Sequence, residues 1–397
     1  MTESDALKMS APVEDSELRA FRRLLDYAFA DNPSLEVNIE GLVAQGLENL
    51  LVARVRGQVV GGLGLIPMGQ WFGGRSVPMT GINRVTVAPE YRSAGIASAL
   101  LRQMLGKLET DGIALSALYP ATQPVYRRVG YEQAGVAMGY KQPTHALAAG
   151  FRDLRVRPLG ASEENVLREL YAERARRTGG NLDRNEWMWK HILQSKDSVL
   201  STCVAERDGR PEGYVVYSQA QRAGEKERNL EARDLVALTP QAGKALLSFF
   251  ADHRSVVDNV TWMGSPSDPL LYLVPNQEYK VTWYEQWMLR VVNVRRALEA
   301  RGYFTSVDTE LHLDVRDEVL DWNNRRFRLQ VSGARAQVSD GGSGRIGVDV
   351  RGLAALYSGY LSPWELLSTG YISAEEEDLS ALAAVFAGPM PWMPDGF

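Results

Sequence analysis

Cysteine is almost missing from this chain: Cys203 is the only one in 397 residues, so no internal disulfide can form and a reducing cytoplasm is the expected location. Histidine is also scarce. The four, at His145, His191, His253 and His312, have no metal-ligand spacing, and no metal is expected. No apolar run approaches the ~18 residues that a membrane span requires, and no lipidation motif is present. Basic blocks are absent too, and the net charge is −5, which argues against nucleic acid as a partner. The opening MTESDALKMSAPVEDSE lacks the basic start and apolar stretch of a signal peptide. The strand-to-helix stretch over residues 83–101 contains neither GxGxxG nor GxxxxGK[ST], so it is not one of the common dinucleotide or P-loop phosphate sites.

What remains is a soluble composition spread over a length that predicts two or three domains. SELRAFRRLLDYAFA places Leu18, Phe21, Leu25 and Phe29 at helical spacing, with Ser16 as the expected cap. LLVARVRGQVVGGLGLIPMGQWFGG and VPMTGINRVTVAP read as strands, followed by a helix from about residue 95. ALSALYP is a further strand and PVYRRVGY a short helix ending at Gly130. The same order returns from about residue 160: a helix after Ser162, strands VLSTCVAER and EGYVVYSQA joined by Asp208-Gly209, then DLVALTPQAGKALLSFF and VTWMGSPSDPLLYLV. Cys203 falls in one of those alternating strands and is expected to be buried. From about 290 the texture changes to TELHLDV, RFRLQVS and GRIGVDV, followed by short amphipathic helices, an α+β pattern.

The stretch NRVTVAPEYRSAGIASALL, residues 83–101, joins an alternating strand to a helix that lacks an aspartate or serine cap. A helix start exposes about four N–H groups and a partial positive charge, which an anion can satisfy. Arg92, and Gly95 with no side chain in the way, make Arg92-Ser93-Ala94-Gly95-Ile96-Ala97 a candidate pyrophosphate cradle. The repeat offers a control: TPQAGKALL lacks that spacing, and Leu271 stands where the first copy has Tyr126.

The pattern V-x-V-x-P-x-x-R-x-x-G-x-A resembles the acetyl-CoA motif of the GCN5-related N-acetyltransferases (GNAT). GINRVTVAP, VYRRVGY, VVNVRRALEARGY and a terminal phenylalanine are similar to the Eis (enhanced intracellular survival) family in particular. The resemblance implies a mixed α/β chain of tandem GNAT folds, one active and one degenerate, followed by an α+β sterol-carrier-protein-like domain. It implies an acetyltransferase domain over 1–134, a degenerate one over 158–290, and a third domain made of 135–157 plus 291–397. Acetyl-CoA would be held by Val85, Thr86, Val87, Arg92, Ser93, Ala94, Gly95, Ile96, Ala97, Ser98, Ala121 and Thr122, with Val87 N–H on the oxyanion. Tyr126 would be the general acid, and the terminal carboxylate of Phe397 the general base. Phe29, Asp31 and Asp395 would bind a small multiamine substrate of aminoglycoside type, and the assembly would be a homohexamer. Acetylation of protein lysines and non-catalytic binding of acyl-CoA or lipid remain open on sequence alone.

Overall fold

A computed structural model describes residues 7–29, 39–160, 162–195, 198–220 and 227–397. The first unit runs β1 (Lys8–Ser10), α1 (Asp15–Ala28), α2 (Ile39–Ala44), β2 (Leu50–Val55), β3 (Gln58–Phe72), β4 (Arg75–Val87), α3 (Ile96–Thr110), β5 (Leu115–Leu118), α4 (Gln123–Arg127) and β6 (Glu132–Pro143). Helix α1 starts two residues earlier than a cap at Ser16 predicts. Glu14 is its cap residue, and the Glu17 carboxylate accepts from the Val13 N–H at 2.7 Å. Its apolar face buries Leu18, Phe21 and Leu25.

The second unit repeats the order: β7 (Arg155–Pro158), α5 (Glu164–Arg176), β8 (Leu182–Asp183), α6 (Glu186–Leu193), β9 (Ser201–Arg207), β10 (Arg210–Ala220), β11 (Asn229–Ala237), α7 (Pro240–Asp252), β12 (Asn259–Gly264) and β13 (Lys280–Val291). The β9–β10 turn has Asp208 and Gly209 both at positive φ, 49° and 76°, the geometry a two-residue hairpin needs. Cys203 is buried on β9, as its alternating run predicts.

The two units share one 13-stranded sheet, in the order β1-β2-β3-β4-β5-β13-β6-β12-β11-β10-β9-β7, with β8 pairing on β3. Each copy's last strand lies in the other copy's half. β13 pairs with β5 (Met288↔Leu118), whereas β6 pairs with β12 (Trp262↔Tyr140). The two exchanged strands pair antiparallel in the middle. This corrects the assignment of 135–157 to the third domain. β6 belongs to the large sheet, and Leu147 and Leu154 sit in the second unit's core with Leu246 and Phe250. The third unit meets this segment through a helix laid over β6.

That unit consists of α8 (Val294–Ala300), β14 (Thr309–Arg316), β15 (Arg326–Ser332), β16 (Arg335–Asp340), β17 (Ile346–Asp349), α9 (Val350–Ser358), α10 (Pro363–Ser368), β18 (Ile372–Ser373) and α11 (Glu376–Val385). Its five strands run β16-β15-β14-β17-β18. Strict alternation along β15 buries Phe327, Leu329 and Val331 on one face. Helix α9, with Leu353, Leu356 and Tyr357 fully or nearly fully buried, packs between this sheet and the large one. One core runs through both layers: Met79 and Leu115 of the first unit share a cluster with Leu313 and Leu353 of the third.

Candidate active site

Strands β4 and β5 run parallel, but they pair only at Met79↔Leu115, Thr80↔Ser116 and Gly81↔Ala117. Beyond Gly81 they separate, and the rest of β4 keeps only β3 as a neighbour. The Ala88 N–H donates to Val60 O at 2.8 Å, so the alternation of an antiparallel ladder turns the Val87 N–H away from β3 and into the fork. Val85 and Val87 are half-buried there. The Thr86 side chain points the other way, its hydroxyl reaching Leu24 O of α1 at 3.4 Å, so only its backbone borders the fork.

A bulge sharpens the separation. The register steps from Gly62↔Thr86 to Gly64↔Asn83, with Arg84 at φ 56°, a backbone conformation rare for a side-chain-bearing residue. Arg84 donates to Gln45 Oε1, while its Nε and the Asn83 Oδ1 are buried with no hydrogen-bond partner among the described residues. Burial pushes the Arg84 guanidinium below its ordinary pKa. Nothing in INRV signals this bulge, because neither Gly nor Pro marks it.

Helix α3 begins at this fork. Its cap residue is Gly95, left-handed at φ 78°, and no side chain caps it. The first backbone bond onto the cap comes from Ala99 N–H to Gly95 O at 3.0 Å, leaving the amides of Ile96, Ala97 and Ser98 as the donors of the terminus. A Cβ on Gly95 would meet nothing within 4 Å, so the approach is open. Arg92, Ser93, Ala94 and Gly95 are exposed, and the Arg92 guanidinium lies 5.7 Å over the Tyr27 ring. Leu100, Leu101, Met104, Leu105 and Leu108 are at most 2% exposed. Each contributes roughly 1.5–3 kcal/mol, against about 1 kcal/mol for a missing cap. The core therefore holds the helix while its first turn stays open. An anionic diphosphate fits such a terminus.

The second copy has closed the same position. Thr239 caps α7 by accepting from Ala242 N–H at 3.1 Å, and Pro240 removes a donor at the first turn. A cavity of about 470 Å³ persists beside it, bordered by Trp262, Pro240 and the tail residues Met390 and Trp392.

Tyr126 follows β5 on α4. It is 6% exposed, sits in one cluster with Val85, Val87 and Leu100, and its hydroxyl has no hydrogen-bond partner among the described residues. Burial pushes the phenol up to about 12, so it stays protonated at neutral pH. Gly130 fixes the end of this segment. It has φ 87°, and a Cβ there would come within 2.7 Å of the Arg290 guanidinium. Arg290 is itself fully buried and paired with Asp317 at 2.7 Å. Ala121 and Thr122, in the loop before α4, are exposed.

The C-terminal segment reaches the fork from the third unit. Trp392 N–H donates to Gly179 O, Met393 N–H to Val136 O, and Asn181 Nδ2 to Trp392 O, at 2.9–3.0 Å. Tyr119 Oη donates to Asp395 O at 2.9 Å, and the Phe397 ring lies 5.6 Å from the Tyr119 ring. A Cβ on Gly81 would come within 2.7 Å of the Phe397 ring, which puts the half-buried last residue at the point where β4 and β5 part. Asp395 does not present a free acid to a substrate. Its carboxylate is buried against Arg184 at 2.9 Å and accepts from the Tyr171 hydroxyl at 3.3 Å, so it anchors the tail. Phe29 is half-buried against the α1 core of Leu18, Phe21 and Leu25, and Asp31 lies outside the described residues.

The acetyltransferase (GNAT) domain family matches residues 11–134, a second acetyltransferase (GNAT) domain family matches 180–291, and the sterol carrier protein domain family matches 294–394. The crystal structure of a GCN5-related N-acetyltransferase from Anabaena variabilis superposes with a TM-score of 0.93 at 37% identity, over 99% of this chain and 100% of that one. The chain belongs to the GCN5-related N-acetyltransferases.

An uncharacterized N-acetyltransferase from Streptomyces avermitilis is 30% identical over 82% of this chain and 83% of its own length. N-acetyltransferase Eis of Mycobacterium tuberculosis is 26% identical over 79% of each chain. The structure of Eis1 from Mycobacterium abscessus has a TM-score of 0.80 at 25% identity, covering 99% of this chain and 100% of that one. The protein is thus an N-acetyltransferase with two GNAT units and a sterol-carrier-like unit, in a family that uses acetyl-CoA. Among the described residues no group of three or more His, Cys, Asp or Glu could hold a metal ion, and no helix is long and apolar enough to cross a membrane.

Proposed function

We propose that the protein transfers the acetyl group of acetyl-CoA to an amine of a small multiamine substrate of aminoglycoside type. The observation that carries this reading is the meeting of three features at one fork: the uncapped α3 terminus, the unpaired edge of β4 and the Phe397 end of the chain. The Ile96, Ala97 and Ser98 amides, with Arg92, hold the diphosphate. The β4 edge at Val85 and Val87 pairs with the pantetheine arm.

The substrate amine nitrogen attacks the thioester carbonyl carbon, and the new C–N bond forms as the carbonyl oxygen becomes an oxyanion that accepts from the Val87 N–H. Collapse breaks the C–S bond, and the departing thiolate takes the Tyr126 proton. The proton lost from the amine passes to the Phe397 carboxylate, directly or through one water. A phenol raised to about 12 is protonated at neutral pH and so available to the leaving sulfur. Burial also makes it a weaker acid than a thiol at about 8.5, so the tyrosinate must recover its proton from solvent. Tyr126 and Phe397 are then regenerated by exchange of that proton with solvent.

The closed α7 terminus supports one acetyl-CoA site per chain. The exposed Val281, Trp283 and Tyr284 on β13 form an apolar strip that supports self-association, and we read the assembly as a homohexamer in the cytoplasm. The test is thiol release from acetyl-CoA across an aminoglycoside panel. Turnover is expected with at least one multiamine, and a fall of about 10²-fold or more in both Tyr126→Phe and a protein with residues appended after Phe397. Undiminished turnover in either variant removes that group from the mechanism.

A further inference from the structure

Arg301 lies in VVNVRRALEARGY, outside the proposed acetyl-transfer site. Its side chain is 96% out of water, with the residue 4% exposed, yet no carboxylate among the described residues pairs with it. Nε donates to Gly302 O at 3.3 Å and Nη1 donates to Tyr357 O. Glu299, two residues earlier, accepts from the Val338 N–H at 3.0 Å instead. The rings of Tyr303, Tyr357 and Phe386 lie 4.9–5.1 Å from the guanidinium carbon and offset part of the cost of burying the charge.

The remaining end, Nη2, has no hydrogen-bond partner among the described residues. Arg301 lines a cavity of about 220 Å³ at the seam of all three units, between the Phe72–Gly74 turn, the end of α5 and the Phe386–Pro389 loop. Arg176 and Arg177 border it too, and both pair with the same acid, Glu173. The lining therefore holds more positive than negative charge, with aromatic walls at Phe72, Phe304 and Phe386.

We infer that this cavity binds a small organic carboxylate, its charged end on Arg301 Nη2 and its apolar body against the aromatic wall. The guanidinium edge matches a carboxylate in shape and charge. The volume is below the roughly 300–1,000 Å³ of a drug-sized site, which restricts the ligand to a compact one. A bare inorganic anion would lose its hydration against the aromatic wall without any apolar gain, so phosphate is disfavoured.

Calorimetric titration of the full chain at fixed ionic strength, with butyrate, benzoate and inorganic phosphate, tests this site. Saturable binding of a carboxylate is expected, with one ligand per chain. Arg301→Gln should weaken it tenfold or more. So should Gly388→Leu, which adds bulk at a residue lining the cavity, where a Cβ meets nothing within 4 Å and no buried charge is altered. Acetyl-CoA affinity should stay within about twofold in both, which separates this site from the transfer site. No saturable carboxylate binding, binding unchanged in Gly388→Leu, or phosphate binding as tight as the carboxylates would each overturn the inference.

Discussion

Arg184 holds Asp395: its Nε donates to Asp395 Oδ1 at 2.9 Å, while its Nη1 donates to Asp234 Oδ2 at 2.6 Å. All three side chains are nearly inaccessible, and the Tyr171 ring lies 3.7 Å from the guanidinium carbon. Burial alone would raise the Asp234 carboxyl, but Arg184, Arg174 and the Tyr214 hydroxyl outweigh it and hold it below the usual range. Arg184→Met would leave two buried carboxylates facing each other. A loss of about 3–5 kcal/mol is expected in urea unfolding, as for other buried pairs deprived of one partner. Faster hydrogen exchange at Trp392 and Met393 should accompany it. Unchanged exchange there would mean the tail is held by its backbone bonds alone.

Gly81 tests where the last residue must sit. An alanine methyl would fall 2.7 Å from the Phe397 ring and 2.4 Å from Met68 Cε, so one of them has to move. The methionine end is flexible and the packed ring is less so. We expect Gly81→Ala to lower kcat at least tenfold while KM for acetyl-CoA stays within about twofold. Steady-state kinetics with both substrates varied would separate the two constants.

Gly95 tests the cradle. Alanine at φ 78° costs about 1–2 kcal/mol and sets a methyl beside the first-turn amides. The expected outcome is the reverse split: KM for acetyl-CoA rises tenfold or more, and kcat at saturation changes little. Equal acetyl-CoA affinity by calorimetry would count against the α3 terminus as the diphosphate site.

Acid stability should report on Glu17. A hydrogen bond from the Arg54 guanidinium pulls its carboxyl down to about 2 against the cost of burial, helped by the Val13 and Glu14 amides. A depressed folded value means that the pair's contribution is complete above the unfolded value near 4.3 and is lost as pH falls through about 2. The stability gap between wild type and Glu17→Gln should be constant from neutral pH to about 5. It should then shrink to nothing near pH 2, as followed by urea unfolding at each pH.

Much of this was legible in the residues. Alternation in TELHLDV and RFRLQVS gave β14 and β15, Asp208-Gly209 gave its hairpin, and the order of elements gave the duplication. The missing cap before Ile96 led directly to an open helix terminus. The exchange of β6 and β13 was hidden, because the same apolar strand satisfies either neighbour and element order does not choose between them. The Arg84 bulge carries no Gly or Pro to mark it. Asp395 looked like a substrate acid because its partner, Arg184, is 211 positions away and nothing local announces the pair.

The crossed last strands have a consequence for any shortened version of the chain. A lone first copy would end in a strand with no β12 to join, and its β5 would be an open edge. The same ladder could close again only if two such fragments lent each other their final strands as a two-fold dimer. Tandem fusion makes that reciprocal loan intramolecular, so here the repeat boundary is a poor place to cut.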